Sequence, residues 1–313
     1  MSSLISSISI LVILIGLISA LRHFGVLRKE DGNLFAHIVT HITLPAVIFD
    51  ALSHAQQLEW DYILVVIFIL LAESLMLMIA WFIGKTLKLA DAQLGSLMLV
   101  SAFGSSALLG YAIIQEAFPG NADALSEAVV ISELGVGIGL FTLGTMVAIY
   151  FGKKTSHAFT PLQSLVDFSK SPIFISIVLG LGYWLLGLPT HGAITEPLFD
   201  VIHLIAEANT FFVALTVGVL LQFSSLASIL GLTLIVIFLK LILSPLLIWL
   251  PTLALDLKTW QVQVIILEAA MPSAMLSVVL ATKYGCDGVL ASRLVFMTTI
   301  ASIVTTLLMV SWL

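Results

Sequence analysis

The chain is 313 residues long, 60% hydrophobic and 10% charged, with a mean hydropathy of +1.17. That is far too apolar for a soluble domain of this length and describes a polytopic membrane protein. Its net charge of −6 lies mostly in short loops without a basic run, which sets nucleic-acid binding aside, and the single cysteine, Cys286, excludes an intramolecular disulfide and argues against a cysteine-built metal site.

The first apolar stretch, MSSLISSISILVILIGLISAL, lacks the basic start and the small-residue cleavage site of a signal peptide, and positive charge follows it, so it reads as a retained first span. At roughly 20 apolar residues per crossing, the sequence predicts ten spans. They cover 4–21, 34–53, 62–83, 94–118, 128–150, 172–188, 198–221, 229–250, 261–284 and 289–312. Loops after odd-numbered spans carry Arg22, Arg28, Lys29, Lys85, Lys88, Lys153, Lys154, Lys170 and Lys283, whereas those after even-numbered spans carry only Lys258. Basic loops stay on the cytoplasmic side, so both termini are expected outside. The segment 153–171, with Lys153, Lys154, Pro161 and the mildly amphipathic LQSLVDF, is expected to be a cytoplasmic linker between the five spans of 1–152 and the five of 172–313. Five is odd, so the second half enters the membrane in the opposite sense, and an all-α fold of two inverted five-helix repeats is expected.

The fourth span of each half departs from an ordinary span. In IILEAAMPSAMLSVVLATKYG, 265–285, Glu268 stands one turn before Pro272, and the proline removes a backbone donor and leaves carbonyls that must find partners without bulk water. In SAFGSSALLGYAII, 101–114, Gly104, Ser105, Ser106 and Gly110 take the place of proline. Interrupted helices in corresponding positions of two halves point to a solute site near the bilayer midplane. Free N–H groups of half-helices attract an anion, and Ser105, Ser106, Ser273 and Ser277 add hydroxyls beside the breaks, although a serine in a membrane helix also packs or bonds its own backbone.

A charged side chain at the bilayer centre costs at least ~2.5 kcal/mol, so each one needs a reason. The intramembrane charges are Glu73, Glu133, Glu207, Glu268, Lys240 and Arg293. Glu73 and Lys240 occupy the third span of their halves and would be symmetry mates facing a shared interior, either as a structural pair or as part of a site. Glu133 and Glu207 lie some turns inside the outer ends of their spans, and Arg293 is near enough to the inner surface to snorkel. Glu268, beside its break, can take up a proton or a cation, which makes it the first candidate for coupling to an ion gradient, with Glu73, Lys240, Glu133 and Glu207 behind it. His37 and His41 share a helix face at i, i+4, but no third ligand accompanies them, so local hydrogen bonding is expected and no resident metal or cofactor. The glycines of GVGIG, 135–139, read as close helix packing rather than a phosphate loop.

Four stretches in order, LRHFGVLRKEDGNLF followed by HITLPAVIFDAL, then SKSPIFISIVLGLGYWLLGLP, then LKLILSPLL, and finally AAMPSAMLSVVLATKYG, make the chain resemble the auxin efflux carrier family in its bacterial branch. The resemblance extends over nearly the whole chain. It implies a fold like that of bile acid sodium symporters, with a scaffold from helices 1, 2, 6 and 7 and a mobile crossover domain from helices 3–5 and 8–10. It also implies fourth helices that cross near the midplane and an organic anion bound beside the crossing. Pro272 matches the family's second crossover. Many members have a proline at the first crossover and an asparagine near one or both; here Gly104 stands at the former, and neither stretch contains asparagine. Bacterial members are associated with small carboxylates such as malonate or malate, and homodimers through the scaffold fit the family.

The resulting expectation is a secondary active transporter of small organic anions, carboxylates or auxin-like acids, in a bacterial inner (plasma) membrane. It would work by an elevator-type displacement coupled to H+ or Na+, with Gly104, Ser105, Ser106, Pro272, Ser273 and Ser277 lining the substrate site. The competing reading is a non-transporting membrane sensor that binds a ligand in the same pocket. Transport is favoured because the sequence runs to Leu313 within the last span and no appended signalling domain is expected. An intramembrane hydrolase would need a nucleophile and base on facing helices, and no such pattern occurs.

Overall fold

The computed structural model describes residues 2–28, 30–55, 61–152, 166, 169–190, 192, 195–220 and 229–312. The expected linker 153–171 lies outside the described residues except for 166 and 169–171. The described chain is helical, with one isolated antiparallel bridge between Gly104 and Ser273.

In chain order the helices are α1 Ser2–His23, α2 Asp31–Ile38, α3 Leu44–Ser53, α4 Asp61–Thr86, α5 Asp91–Ala102, α6 Tyr111–Ala117, α7 Ala122–Val130 and α8 Thr145–Phe151. They continue with α9 Pro172–Leu185, α10 Thr195–Leu220, α11 Leu230–Ile237, α12 Ser244–Thr252, α13 Thr259–Ala269, α14 Met275–Tyr284 and α15 Gly288–Trp312. Wide π-helical turns join α2 to α3 (Val39–Thr43) and α11 to α12 (Phe238–Leu243). Each of these turns ends just before a proline, Pro45 or Pro245, in the first turn of the next helix. Proline lacks an N–H and crowds the carbonyl four residues back, so the widened turn lets the helix continue past it.

Among the described residues six helices are long and apolar enough to cross a membrane: Leu34–Ser53, Ile63–Thr86, Ala122–Phe151, Thr195–Val219, Leu230–Thr252 and Gly288–Thr306. Ile13–His23 and Pro172–Leu185 are shorter apolar helices. The expected spans 94–118 and 261–284 are each divided, by non-helical backbone at 103–105 and 270–274.

The chain's contacts fall into two compact units. The first comprises Met1–Glu59, Ala107–Val129 and Phe168–Gln222. Its axis is α10, against which α1, α2, α3 and α6 pack, while α9 lies on α3. Glycines set the close approaches: a Cβ at Gly218 would lie 2.7 Å from Ile18 of α1, and one at Gly180 would lie 2.8 Å from Leu52 of α3. Buried polar ties join its helices. Thr43 Oγ1 donates to Asn209 Oδ1 at 2.9 Å, and Ser126 Oγ donates to the Ala51 carbonyl at 2.6 Å.

The second unit comprises Trp60–Ser106, Val130–Asp167 and Phe223–Leu313. Here α5 is the inner element, buried at every position from Leu94 to Ala102, so it shows no polar face. It is packed by α4, α8, α11, α14 and α15. Gly95 admits α8 and the connection from α14 to α15, since a Cβ there would lie 2.8 Å from Phe151 and 2.7 Å from Cys286 Sγ.

Candidate functional site

The second unit is organised around the two helix breaks. α5 stops where Phe103 turns extended, and α13 stops at Ala269, three residues before Pro272. The freed backbone groups answer one another. Ser105 N–H donates to the Pro272 carbonyl at 2.7 Å, and Ala274 N–H donates to the Phe103 carbonyl at 2.9 Å. Gly104 and Ser273 thus face each other as a bridge whose own N–H groups point away from the pair. An unpaired backbone group in hydrocarbon costs roughly several kcal/mol, so this mutual pairing is what makes the two interruptions tolerable.

Side chains serve several of the other freed groups. Ser273 N–H meets Thr298 Oγ1 of α15 at 3.3 Å. Ser273 Oγ donates to the Val100 carbonyl at 2.6 Å and Ser277 Oγ to the Leu99 carbonyl at 3.2 Å, both in the last turn of α5. Ser106 Oγ lies 2.8 Å from Ser132 Oγ, and both are buried. Of the serines expected to line a substrate site, Ser273, Ser277 and Ser106 therefore hold the breaks in shape, while Ser105 contributes its backbone N–H.

Lys240, in the wide turn Phe238–Leu243, reaches the breaks from outside them. It is 3% exposed, and Nζ donates to the Ala269 carbonyl at 3.0 Å and to Ser244 Oγ at 3.3 Å. Ala269 needs that donor, because the N–H that would have closed its helical turn, Ser273, is turned to Thr298. The ammonium also sits at the negative end of α13. Gly104 makes the approach possible: a Cβ there would lie 3.0 Å from both Cε and Nζ of Lys240. Glycine at 104 and lysine at 240 are thus sterically linked.

Three buried glutamates belong to the same unit. Glu268 on α13 is 2% exposed and Glu73 on α4 is 4% exposed, and their carboxylate oxygens have no hydrogen-bond partner among the described residues. Glu73 lies against the backbone of Gly139, where any Cβ would collide with its Oε2. Glu133, in the wide turn Ile131–Gly137, is also buried. Lys240 interacts electrostatically with Glu73 and Glu268, and Glu133 with Glu268. Glu73 and Lys240 are both buried in this unit, and the lysine's hydrogen bonds go to the break and Ser244 rather than to the glutamate. Gly135 brings Ile69 of α4 against the same turn, with a Cβ site 3.0 Å from it, so Gly135 and Gly139 both serve helix packing.

Glu207 lies in the first unit, on α10, with a side chain 64% exposed and 3.4 Å from His203 Nε2. The other ring nitrogen of His203 is 2.9 Å from Asp50 Oδ2, and His54 Nδ1 is 3.2 Å from Asp50 Oδ1. His54, just beyond its span, is held above the ordinary histidine range chiefly by its hydrogen bond to Asp50. This chain of four groups escapes a reading of single charges, although Asp50–His54 and His203–Glu207 are each an i, i+4 pair visible in the sequence. His37 and His41 stack with ring centroids 3.9 Å apart, and His41 Nδ1 bonds locally to Thr40 Oγ1 at 2.9 Å. Among the described residues no group of three His, Cys, Asp or Glu is placed to hold a metal ion.

Membrane-length apolar helices, together with two broken helices whose backbones close on each other beside buried charges, define an integral membrane protein built to handle a solute. Residues 5–310 match the sequence model of a family described as Membrane transport protein. The chain belongs to this family, the auxin efflux carrier family of membrane transporters. It is 29% identical over 301 residues to an uncharacterized transporter of Methanocaldococcus jannaschii, covering 95% of this chain and 94% of that protein. It is 28% identical over 306 residues to an uncharacterized transporter of Methanothermobacter thermautotrophicus, covering 97% and 96%. It is 25% identical over 289 residues to the uncharacterized transporter YfdV of Escherichia coli, covering 88% and 86%.

Proposed function

We propose that this protein is a secondary active transporter of small organic anions, carboxylates of the malonate or malate kind. The observation that carries the reading is the pair of mutually bonded helix breaks with the Lys240 ammonium held against Gly104. A fixed positive charge and open backbone at the end of broken helices suit an anion, and the neighbouring buried glutamates suit a coupling ion, H+ or Na+.

The mechanism is an elevator-type displacement of a crossover domain against a scaffold. Support comes from the grouping of contacts, which gathers the first, second, sixth and seventh expected spans in one unit, together with Ala107–Val129 of the fourth and fifth, and the paired breaks in the other. The two halves form an inverted repeat, with both termini outside and the basic loops inside a bacterial inner membrane; the scaffold helices are the surface for a homodimer. Uptake of radiolabelled small carboxylates into proteoliposomes, under a proton or a sodium gradient at fixed membrane potential, tests the reading. Gradient-driven flux is the expected result. Thermal stabilisation by a carboxylate with no flux would replace the carrier with a sensor.

A further inference from the structure

The Lys240 ammonium has three N–H donors, of which two are engaged, by the Ala269 carbonyl and Ser244 Oγ. The third has no hydrogen-bond partner among the described residues, although the side chain is almost wholly buried. Beside it lies a second open donor. In the bridge between the breaks, the outward N–H of Ser273 is taken by Thr298, but the outward N–H of Gly104 has no partner among the described residues. Buried donors are normally paired, so two open ones beside each other, one of them cationic, mark a place for an acceptor.

Charge adds a condition. Lys240 can balance only one of Glu73 and Glu268, whose carboxylates have no hydrogen-bond partner among the described residues, and both already feel its field. An incoming carboxylate would add a further negative charge to a site where each uncompensated ion costs roughly several kcal/mol. The other charged residues on the elements packed around Lys240, Glu73 and Glu268 do not relieve this. Glu133 is a further carboxylate, Asp91 lies 3.6 Å from Lys85 at the mouth of α5, and Arg293 is only half-buried on α15.

Resting on the carrier reading above, we propose that Lys240 is the substrate-reading residue. Its third N–H and the Gly104 N–H together receive one carboxylate group of the organic anion, and the anion enters with protons taken up by Glu73 and Glu268. Binding is then a proton-plus-anion event, and Gly104 matters because a Cβ there, 3.0 Å from Nζ, would press the ammonium out of its position.

Calorimetric titration of the purified protein with malonate and malate, in buffers of different ionisation enthalpy and over a pH range in which the ligand stays fully ionised, counts the protons taken up. At least one proton per anion is expected, with affinity falling about tenfold per pH unit for each proton linked. Lys240→Met and Gly104→Ala should weaken binding at least tenfold and Lys240→Arg much less, while the Glu73→Gln, Glu268→Gln double variant should bind without pH dependence. Wild-type binding with no proton uptake overturns the proposal without recourse to any variant, as does unchanged affinity in a folded Lys240→Met protein. Carboxylate flux that survives in Lys240→Met would leave the carrier reading standing and remove this one; absence of binding and flux for every carboxylate tried would remove both.

Discussion

At Gly139 the bare backbone forms the surface on which the Glu73 carboxylate rests, and Leu70 closes the same spot at 3.4 Å from a Cβ position. Gly139→Ala should therefore cost about 1–3 kcal/mol by overpacking, read as a lowered unfolding temperature in detergent. Shortening its neighbour, Glu73→Ala, should recover part of that loss, since the two side chains compete for one volume and their effects are not additive. Gly182 makes the contrast. No atom lies within 4 Å of a Cβ there, so Gly182→Ala should be neutral or stabilising by up to about 1 kcal/mol. Equal losses at both positions would mean that the Glu73 contact is not what fixes residue 139. His54 carries a different residue-level expectation. Its proton is held more tightly in the folded protein, so its contribution to stability is full below the histidine's unfolded value and fades as pH rises through the higher folded value. The difference in unfolding temperature between the wild type and His54→Ala should shrink from acid to neutral pH; a difference that grows would reverse the assignment.

At the level of elements, the breaks are held by a small set of bonds of unequal worth. Val100 loses its helical N–H partner where α5 ends, and Ser273 Oγ replaces it at 2.6 Å. Leu99 still accepts from Phe103 N–H at 3.3 Å and only shares Ser277. Ser273→Ala should thus cost about 1–3 kcal/mol and Ser277→Ala distinctly less, because only the first leaves a buried carbonyl unmade. Comparable losses would place the restraint elsewhere. The connection from α14 to α15 offers a probe of the same unit. Gly285 closes α14 in the left-handed region, φ 89°, and the next residue, Cys286, is buried with its thiol pushed up to about 11 by desolvation. Maleimide labelling of Cys286 should be slow in the folded protein and fast in denaturant, which gives a direct readout of variants at the breaks.

Across the whole molecule, what the sequence made legible was what local pattern encodes. Apolar length marked where helices can cross, and Pro272 marked an interruption because a missing N–H is a property of one residue. The glycine and serine run at 104–106 marked the other. Invisible beforehand were the partners of those interruptions. Ser273 and Val100 are 173 positions apart, and no periodicity links them. For that reason the serines read as substrate ligands alone, whereas Ser106, Ser273 and Ser277 also bond protein atoms. Gly104 looked like a lost proline, whereas its lack of a side chain answers a lysine that lies far along the chain. Glu207 reads as one more membrane charge when taken alone, whereas His203 four residues before it ties it to Asp50. On the elevator reading, a covalent crosslink between scaffold and crossover domain should abolish flux while sparing malonate binding, and unimpaired flux after verified crosslinking would rule out the displacement.

On the carrier reading, an organic carboxylate crosses the membrane with protons, through the site where Lys240 meets the paired breaks. The most direct test of that reading is radiolabelled malonate uptake into proteoliposomes at fixed membrane potential, with wild type and Lys240→Met side by side under an inward proton gradient or an inward sodium gradient. Accumulation in the wild type under the proton gradient alone, and none in the variant, is the expected result. Accumulation that follows sodium, or that proceeds equally without the lysine, would contradict it.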